Sequence, residues 1–239
     1  MNELRGQAAV ITGAAQGLGR AIARAYAAAG MRVALMDVKA EALQQAADEL
    51  SPSAVPIVVD LADGPATQRA AQAALELVGT PRVLVHNAAV LINRPLMQIA
   101  LEDWTREVNV ILQAAFLLTQ AVWQPMIAGG GGSLIYVSSR SGVEGFLDEA
   151  PYVAGKHALE GFMKCMALEG APHKIAAVTV TPGKPMHTPM SEANYPDELK
   201  QQWIDPYLLT PAFVRLASTE ALAFSGQRLN AWELSAAER

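Results

Sequence analysis

Residues 8–30, AAVITGAAQGLGRAIARAYAAAG, decide how this chain folds. The stretch begins with a short strand-like run and continues from residue 17 with helical spacing that stops at Gly30. Gly13 and Gly17 lie between the two patterns, where glycine tolerates positive φ and lets another backbone come close. The free N–H groups and positive dipole end of the helix would face the same turn. The stretch therefore predicts a strand–turn–helix unit that binds a nucleotide phosphate, and a tight turn without a ligand is the alternative.

The rest of the chain continues this alternation of strands and helices. Strands are predicted at residues 8–12, 32–37, 54–60, 82–89, 131–139, 175–183 and 226–234, and helices at 17–30, 40–50, 66–79, 102–127 and 152–170. The strands are apolar throughout rather than alternating, which is typical of a parallel sheet covered by helices on both faces. Pro56 lacks the N–H group that a central strand needs, so the third strand is expected at an edge.

The alternation predicts an α/β fold with a doubly wound, Rossmann-like architecture and a mostly parallel sheet of about seven strands. No shift in composition, linker or repeat interrupts it, so residues 1–239 are interpreted as a single dinucleotide-binding and catalytic domain. Residues 184–211 form a long, proline-containing connection after the sixth strand. Because ligands bind beyond the carboxyl ends of the strands in such sheets, we expect this segment to be a substrate lid.

Composition and charge argue against several classes of function. The 239 residues are 51% hydrophobic and 17% charged, with a net charge of −5 and no basic run suited to nucleic acid. Cys165 is the single cysteine and the four histidines lack metal-ligand spacing, so no metal site is predicted. The helix at 102–127 contains polar residues and is interpreted as buried rather than membrane-spanning. Without a signal-peptide pattern, a soluble cytoplasmic protein with a buried, inert Cys165 thiol is expected.

Asp37 ends the second predicted strand, 18 residues after Gly19. A carboxylate at about this spacing accepts hydrogen bonds from the adenosine ribose of a dinucleotide. It would also repel a 2′-phosphate, so NAD is favoured over NADP, although Lys39 places a cation nearby. The alternative is that Asp37 caps the following helix.

Tyr152 and Lys156 lie four residues apart at the start of a predicted helix and would share one face of it. Taken alone, such a pair is more often an ordinary amphipathic contact than a functional site. Other motifs change this interpretation, and in chain order they are TGAAQGLG at 12–19, Asp37, DLAD at 60–63, HNAAV at 86–90, VN at 108–109, YVSS at 136–139, YVAGK at 152–156 and TPG at 181–183. Together they span nearly the whole chain, and their order and spacing resemble the short-chain dehydrogenase/reductase family.

The resemblance implies an oxidoreductase that transfers hydride between NAD(H) and a small-molecule secondary alcohol or ketone. It implies that Tyr152 is the general acid/base, that Lys156 favours its phenolate and binds the nicotinamide ribose, and that Ser139 orients the substrate oxygen. Asn109 resembles the asparagine of the family that supports a proton-relay water. The implied cofactor contacts are Gly13, Gln16, Leu18 and Gly19 around the phosphates, Asp60 and Leu61 at the adenine, Asn87 and Ala88 along the adenosine, and Tyr152, Lys156, Pro182, Gly183 and Thr188 around the nicotinamide.

The chain departs from the family pattern at three places. His86-Asn87-Ala88-Ala89 stands where Asn-Asn-Ala-Gly is common, so Ala89 is expected to narrow the cofactor cleft, and His86 is interpreted as structural rather than as an acid or base. Thr188 lies one residue later than is usual after the TPG motif. The chain ends in LNAWELS where many members have Asp-Gly-Gly, which weakens any inference about assembly from that end.

The substrate stays open at this point. Arg140 and Lys184 could bind a carboxylate or lie solvated, whereas the methionine and aromatic residues of 184–211 fit apolar alcohols. Residues that by position could line or close the pocket are Arg140, Ser141, Leu147, Glu149, Lys184, Met190 and Trp203. Residues that suggest a partly apolar lid are Met186, Met190, Tyr195, Trp203 and Tyr207. The helices at 102–127 and 152–170 are apolar enough to bury a second face, and the family resemblance implies that this face is the interface of a homodimer or homotetramer. A non-catalytic dinucleotide sensor and an assembly protein are the alternatives, and neither would need the four catalytic candidates.

Overall fold

Seven parallel strands form a sheet through the middle of the computed structural model, which describes residues 3–237. Their spatial order is β3-β2-β1-β4-β5-β6-β7. The strands are β1 Ala8–Thr12, β2 Arg32–Asp37, β3 Ala54–Val58, β4 Pro81–His86, β5 Gly132–Val137, β6 Ile175–Thr181 and β7 Arg228–Asn230. The order reverses between β1 and β4, so the chain leaves these two strands in opposite directions and opens a crevice at their carboxyl ends.

Helices cover both faces of the sheet. They are α1 Gly17–Ala28, α2 Ala40–Glu49, α3 Gly64–Val78, α4 Leu101–Val108, α5 Ala114–Ala128, α6 Ala150–Gly170, α7 Pro189–Asn194, α8 Thr210–Leu216 and α9 Ala231–Ala236. Ile22 of α1 and Phe213 of α8 share one buried cluster with Ile11 of β1. Leu118 of α5 shares a second cluster with Val10 of the same strand. Successive strand residues point to opposite faces, so β1 supplies both cores, and the predicted doubly wound α/β fold is confirmed.

The edge position predicted for the third strand is confirmed. β3 lies at one end of the sheet and pairs with β2. Pro56 lies opposite Leu35 in that pairing. Because β3 has a neighbouring strand on one side only, the missing N–H group of Pro56 breaks no hydrogen bond to a second neighbour.

The helix predicted at 102–127 is interrupted. α4 ends at Val108, Asn109–Gln113 form a π-helical turn, and α5 begins at Ala114. The run Leu101–Ala128 is long and apolar enough to cross a membrane by length and composition alone. In the structure it packs against α3, β4 and α6, so it forms part of one helical layer of the fold.

Two predictions about the later part of the chain are wrong. The strand predicted at 226–234 is only β7, because the Asn230 side chain accepts hydrogen bonds from the N–H groups of Trp232 and Glu233 and so starts α9. Cys165, expected to be buried, is exposed. α6 buries Leu159 and Met163, and Cys165 lies two positions beyond Met163, roughly 200° around the helix from it.

Candidate active site

Glycines shape the turn between β1 and α1. Gly13 and Gly17 have φ values of 63° and 55°, which L side chains rarely adopt. A Cβ atom on Gly19 would overlap the carbonyl oxygen of Gly13, so Gly19 lets α1 pack closely against the turn. The amide of Asn87 donates hydrogen bonds of 3.1 Å to the carbonyl oxygens of Thr12 and Gly13, which ties the end of β4 to the turn. The backbone at the first turn of α1 thus stays open to an approaching phosphate.

Asp37 holds this turn from the end of β2. Its carboxylate accepts hydrogen bonds from the N–H groups of Ala15, at 3.1 Å, and Lys39, at 3.0 Å. Lys39 occupies the N-cap position of α2, so the interpretation of Asp37 as the helix cap is wrong. The Lys39 ammonium donates to the Gln16 side-chain oxygen at 2.8 Å. Gln16 therefore draws this cation toward the rim of the turn beside Asp37.

A second acidic residue, Asp60, follows β3, so it lies with Asp37 at the carboxyl ends of the strands. One of its oxygens accepts a hydrogen bond from the N–H group of Ala62 at 3.0 Å. The other is 3.0 Å from the guanidinium of Arg106 on α4. Arg106 also lines the cavity, and no sequence motif pointed to it.

A cavity of about 540 Å³ opens at the carboxyl ends of the strands, between the glycine turn, the chain after β4 and β5, and the segment from Pro182 to Tyr195. The predicted site residues that line it are Gly13, Gln16, Leu18, Asp37, Asp60, Leu61, Asn87, Ala88, Ser139, Tyr152, Lys156, Pro182 and Thr188. Gly17 and Ala89 line it too. Gly19 and Gly183 are not among the lining residues, because Gly19 packs on Gly13 and a Cβ atom on Gly183 would overlap Asn230.

Ser139, Tyr152 and Lys156 meet at the inner end of this cavity. The Tyr152 hydroxyl and the Ser139 hydroxyl are hydrogen-bonded to each other. Lys156 is buried, and its ammonium donates a 2.6 Å hydrogen bond to the carbonyl oxygen of Val137 at the end of β5. The ammonium lies 5.4 Å from the centre of the Tyr152 ring. Tyr152 and Lys156 of α6 thus lie against the carboxyl end of β5, where Tyr152 contacts Ser139 and Lys156 contacts Val137.

The pKa values of these groups are set mainly by burial. Burial raises the pKa of Tyr152 above its ordinary value of 10, the nearby Tyr195 raises it further, and the hydrogen bond with Ser139 opposes the change. Burial lowers the pKa of Lys156 to about 8, against the pull of the Glu160 carboxylate. The protein's own groups thus favour the neutral phenol of Tyr152.

Asn109 is not brought to the other three catalytic candidates. Its side-chain amide donates to the carbonyl oxygen of Ala62 at 3.2 Å, on the α3 side of the π turn. Ile111, two residues on, is buried and packs against Gly155, next to Lys156. Residues two apart in a helical turn point in nearly opposite directions, so the Asn109 side chain points away from Gly155, and its role in supporting a proton-relay water stays a prediction.

His86 joins the glycine turn to the π turn. Its Nε2 lies 3.1 Å from the carbonyl oxygens of Val110 and Ile111, which can only accept, so Nε2 carries the proton. Its Nδ1 then accepts from the Thr12 hydroxyl at 3.1 Å, and that hydroxyl oxygen in turn accepts from two backbone N–H groups after β4. Burial and the charge of Lys156 lower the pKa of His86 to about 4. These contacts favour the structural interpretation of His86.

The segment 184–211 covers one side of the cavity with part of its length. Lys184, Met186, Met190 and Tyr195 line the cavity. Trp203 packs on His187 instead, and Tyr207 is exposed. Thr188 caps α7 through a 3.1 Å hydrogen bond from the N–H group of Ser191. The predicted set of apolar lid residues is thus divided between the cavity and the outer surface.

The chain is similar to known dehydrogenases and reductases. The family model described as short chain dehydrogenase matches residues 7–199. D-erythrulose reductase of Gallus gallus is 39% identical over 82% of this chain and 78% of the relative. L-xylulose reductase of Mus musculus is 37% identical over 82% and 79%. The crystal structure of a putative NAD(P) dependent gluconate 5-dehydrogenase from Beutenbergia cavernae, with bound NADP at low occupancy, superposes with a TM-score of 0.88 at 30% identity, covering 97% of this chain and 98% of that one.

Proposed function

The chain belongs to the short-chain dehydrogenase family, and we propose that it exchanges hydride between NAD(H) and the secondary hydroxyl or keto group of a short polyol or ketose. The coarser activity follows from membership: the protein is an oxidoreductase of secondary alcohols and ketones that uses a nicotinamide dinucleotide. The proposal adds the residues, the cofactor preference and the substrate class.

One observation supports the residue roles most strongly. The hydrogen-bonded Ser139–Tyr152 pair and Lys156 face the same cavity as the glycine turn that suits a pyrophosphate. A nicotinamide bound there supplies the hydride acceptor or donor. Tyr152 then takes the hydroxyl proton of the alcohol in oxidation, or gives its proton to the ketone oxygen in reduction. Ser139 orients that oxygen by hydrogen bonding.

Lys156 is proposed to bind the nicotinamide ribose and to stabilise the Tyr152 phenolate when that anion forms. With a pKa of about 8 it is mostly charged at neutral pH. Asn109 is proposed to support a proton-relay water, with its side-chain amide held by the carbonyl oxygen of Ala62. The carbonyl groups of the π turn near Lys156 are bonded to His86.

A preference for NAD over NADP is proposed from Asp37. Its carboxylate lines the cavity at the end of β2, where an adenosine ribose would lie if the phosphates bind the turn. A negative charge there accepts hydrogen bonds from the ribose hydroxyls and repels a 2′-phosphate. Lys39, the cation nearest in sequence, is bonded to Gln16.

A polyhydroxy substrate is proposed from two lines of support. The relatives named above act, by their names, on D-erythrulose and L-xylulose. The two cations that might have bound a carboxylate have other contacts: Arg140 pairs with Glu144 at 3.3 Å, and the Lys184 ammonium lies 5.8 Å from the Trp232 ring centre.

We also propose a cytoplasmic homo-oligomer. Leu101, Trp104 and Phe116 on the α4–α5 run and Leu168 on α6 are exposed apolar side chains, which suit an interface between copies. Sedimentation at micromolar concentration tests this, and a monomer would contradict it.

The segment 184–211 is proposed as the substrate lid of the single domain.

The experiment for the proposed function follows NADH absorbance with erythrulose and xylulose, and in reverse NAD with their polyols. Turnover should fall by about 10³-fold or more in Tyr152→Phe, while NADH still binds with a Kd near that of the wild type. Tyr136→Phe is the matched control, because Tyr136 is also fully buried but bonds to Thr119 away from the cavity. Turnover retained by Tyr152→Phe would overturn the acid/base role, and NADH binding without any turnover would favour a sensor.

A further inference from the structure

A chain of hydrogen bonds leads from the catalytic serine to the lid. The Ser139 hydroxyl lies 3.3 Å from the Ser141 hydroxyl, and Ser141 donates to the Glu149 carboxylate at 3.2 Å. The same carboxylate is hydrogen-bonded to the hydroxyl of Tyr195. Tyr195 follows α7 directly, within the proposed lid. The loop after β5, the start of α6 and the more distant lid segment thus meet at Glu149.

Glu149 fixes the direction of the hydrogen bonds around it. The residue is 5% exposed, so water does not replace its partners. Burial raises the pKa of Glu149, and the hydrogen bonds from Ser141 and Tyr195 oppose that rise, as expected for a carboxylate that accepts both. A carboxylate only accepts, so both hydroxyl protons point at Glu149.

The direction of these bonds decides what Tyr195 can offer to a ligand. A phenol has one proton and can also accept. Because Glu149 holds that proton, the oxygen of Tyr195 can only accept from a further partner. Burial and, after it, the charge of Glu149 raise the pKa of Tyr195, which keeps it protonated. A partner of Tyr195 must therefore be a donor.

Tyr195 is placed to meet the substrate. It lines the same cavity as Ser139 and Tyr152, and is near enough to Tyr152 to raise the pKa of that residue. The adjacent Asn194 anchors the segment, because its carbonyl oxygen accepts from the Asn93 side chain at 3.1 Å. Tyr195 is thus an acceptor on the lid side of the cavity that the candidate acid/base also lines.

We propose that Tyr195, with its proton held by Glu149, accepts a hydrogen bond from a second hydroxyl group of the substrate and thereby selects polyhydroxy substrates over simple alcohols and ketones. Tyr195 is the specificity-determining residue, and Glu149 is a positioning residue that acts through it. The inference rests on the proposed oxidoreductase function and adds no chemical step to it.

The test compares two four-carbon ketones that differ in their hydroxyl groups, erythrulose (1,3,4-trihydroxybutan-2-one) and butan-2-one. Tyr195→Phe should lower the ratio of kcat/KM for erythrulose to kcat/KM for butan-2-one about tenfold or more, because any change in the acid/base strength of Tyr152 affects both ketones and cancels in the ratio. Glu149→Gln should lower the same ratio by a smaller factor, because the carboxamide presents an N–H donor in place of one carboxylate oxygen and leaves the hydroxyl beside it without an acceptor. Tyr207→Phe is the matched control, since Tyr207 is an exposed tyrosine outside the cavity, and its ratio should stay that of the wild type.

The outcomes separate this inference from the function on which it rests. Equal losses for both ketones in Tyr195→Phe would make Tyr195 merely structural and overturn the inference while leaving the oxidoreductase function in place. An unchanged ratio in Glu149→Gln would overturn the positioning role. Turnover of neither ketone by the wild type, with NADH bound, would overturn the proposed substrate class and this inference with it.

Discussion

The two sides of the cavity are built by different means. The nucleotide side is shaped mainly by the backbone, through the positive φ of Gly13 and Gly17 and the close packing of Gly19. The substrate side is shaped by side chains, through the contacts of Glu149 with Ser141 and Tyr195. The first kind of construction needs a short local sequence, whereas the second needs segments that meet only after folding.

The difference predicts that the nucleotide side tolerates no added methyl group where its backbones touch. Gly19→Ala would overlap the carbonyl oxygen of Gly13, and we expect it to destabilise the fold by about 3 kcal/mol. NADH binding should weaken as well, because the turn must move. Urea unfolding and NADH titration measure the two effects.

Gly161→Ala is the matched control for this change. Gly161 lies within α6, and a Cβ atom there would meet nothing within 4 Å. Alanine in a helix interior should stabilise it by about 0.5–1 kcal/mol. Equal stability of the two variants would show that the nucleotide side is not fixed by backbone contact.

The same contrast explains which features the sequence could predict. The doubly wound sheet followed from continuous apolar strands, and the edge strand followed from Pro56. The family resemblance implied Asp60, Leu61, Asn87 and Ala88, whereas the glycine turn and Asp37 followed from glycines and an acid at fixed spacing. These signals are local, and each has a direct backbone consequence.

Other features had no local signal or had one that was not used. The π turn at Asn109–Gln113 adds a residue to one turn of the helix, and Ile111 within it packs on Gly155. Nothing in the apolar pattern reports such an inserted residue. The start of α9 could have been predicted, because Asn230 with Glu233 three residues later is a helix-capping pattern. In the structure the Asn230 side-chain amide donates a 2.8 Å hydrogen bond to the Glu233 carboxylate. The Glu149–Tyr195 contact depends on how the lid folds over α6.

His86 lies between the glycine turn and the π turn, and its protonation should make the free energy of unfolding depend on pH. Its pKa is about 4 in the folded protein against an ordinary value of 6.5. Between these values the unfolded chain binds a proton that folded His86 does not, so the free energy of unfolding falls as the pH drops from 6.5 toward 4. The loss is about 1.4 kcal/mol per pH unit, or about 2 kcal/mol at pH 5.

His86→Asn removes this proton and keeps a hydrogen-bonding side chain at the end of β4. The difference in unfolding free energy between pH 7 and pH 5, from urea titrations, should be smaller in the variant by about 2 kcal/mol. The other three histidines are common to both proteins and cancel. Parallel losses in the two proteins would show that His86 binds its proton as readily when folded.

The smallest expected effect concerns Asp37, where charge matters on the side that backbone mainly builds. Asp37→Asn keeps an oxygen that can accept from Ala15 or Lys39 but removes the negative charge. The ratio of kcat/KM for NAD to that for NADP should fall about tenfold, or about 1.4 kcal/mol. Asp48→Asn, which removes the same charge from the exposed face of α2, should leave the ratio unchanged. A ratio unmoved by Asp37→Asn would mean that Asp37 serves the turn alone, and that the nucleotide side discriminates between the two cofactors by other groups.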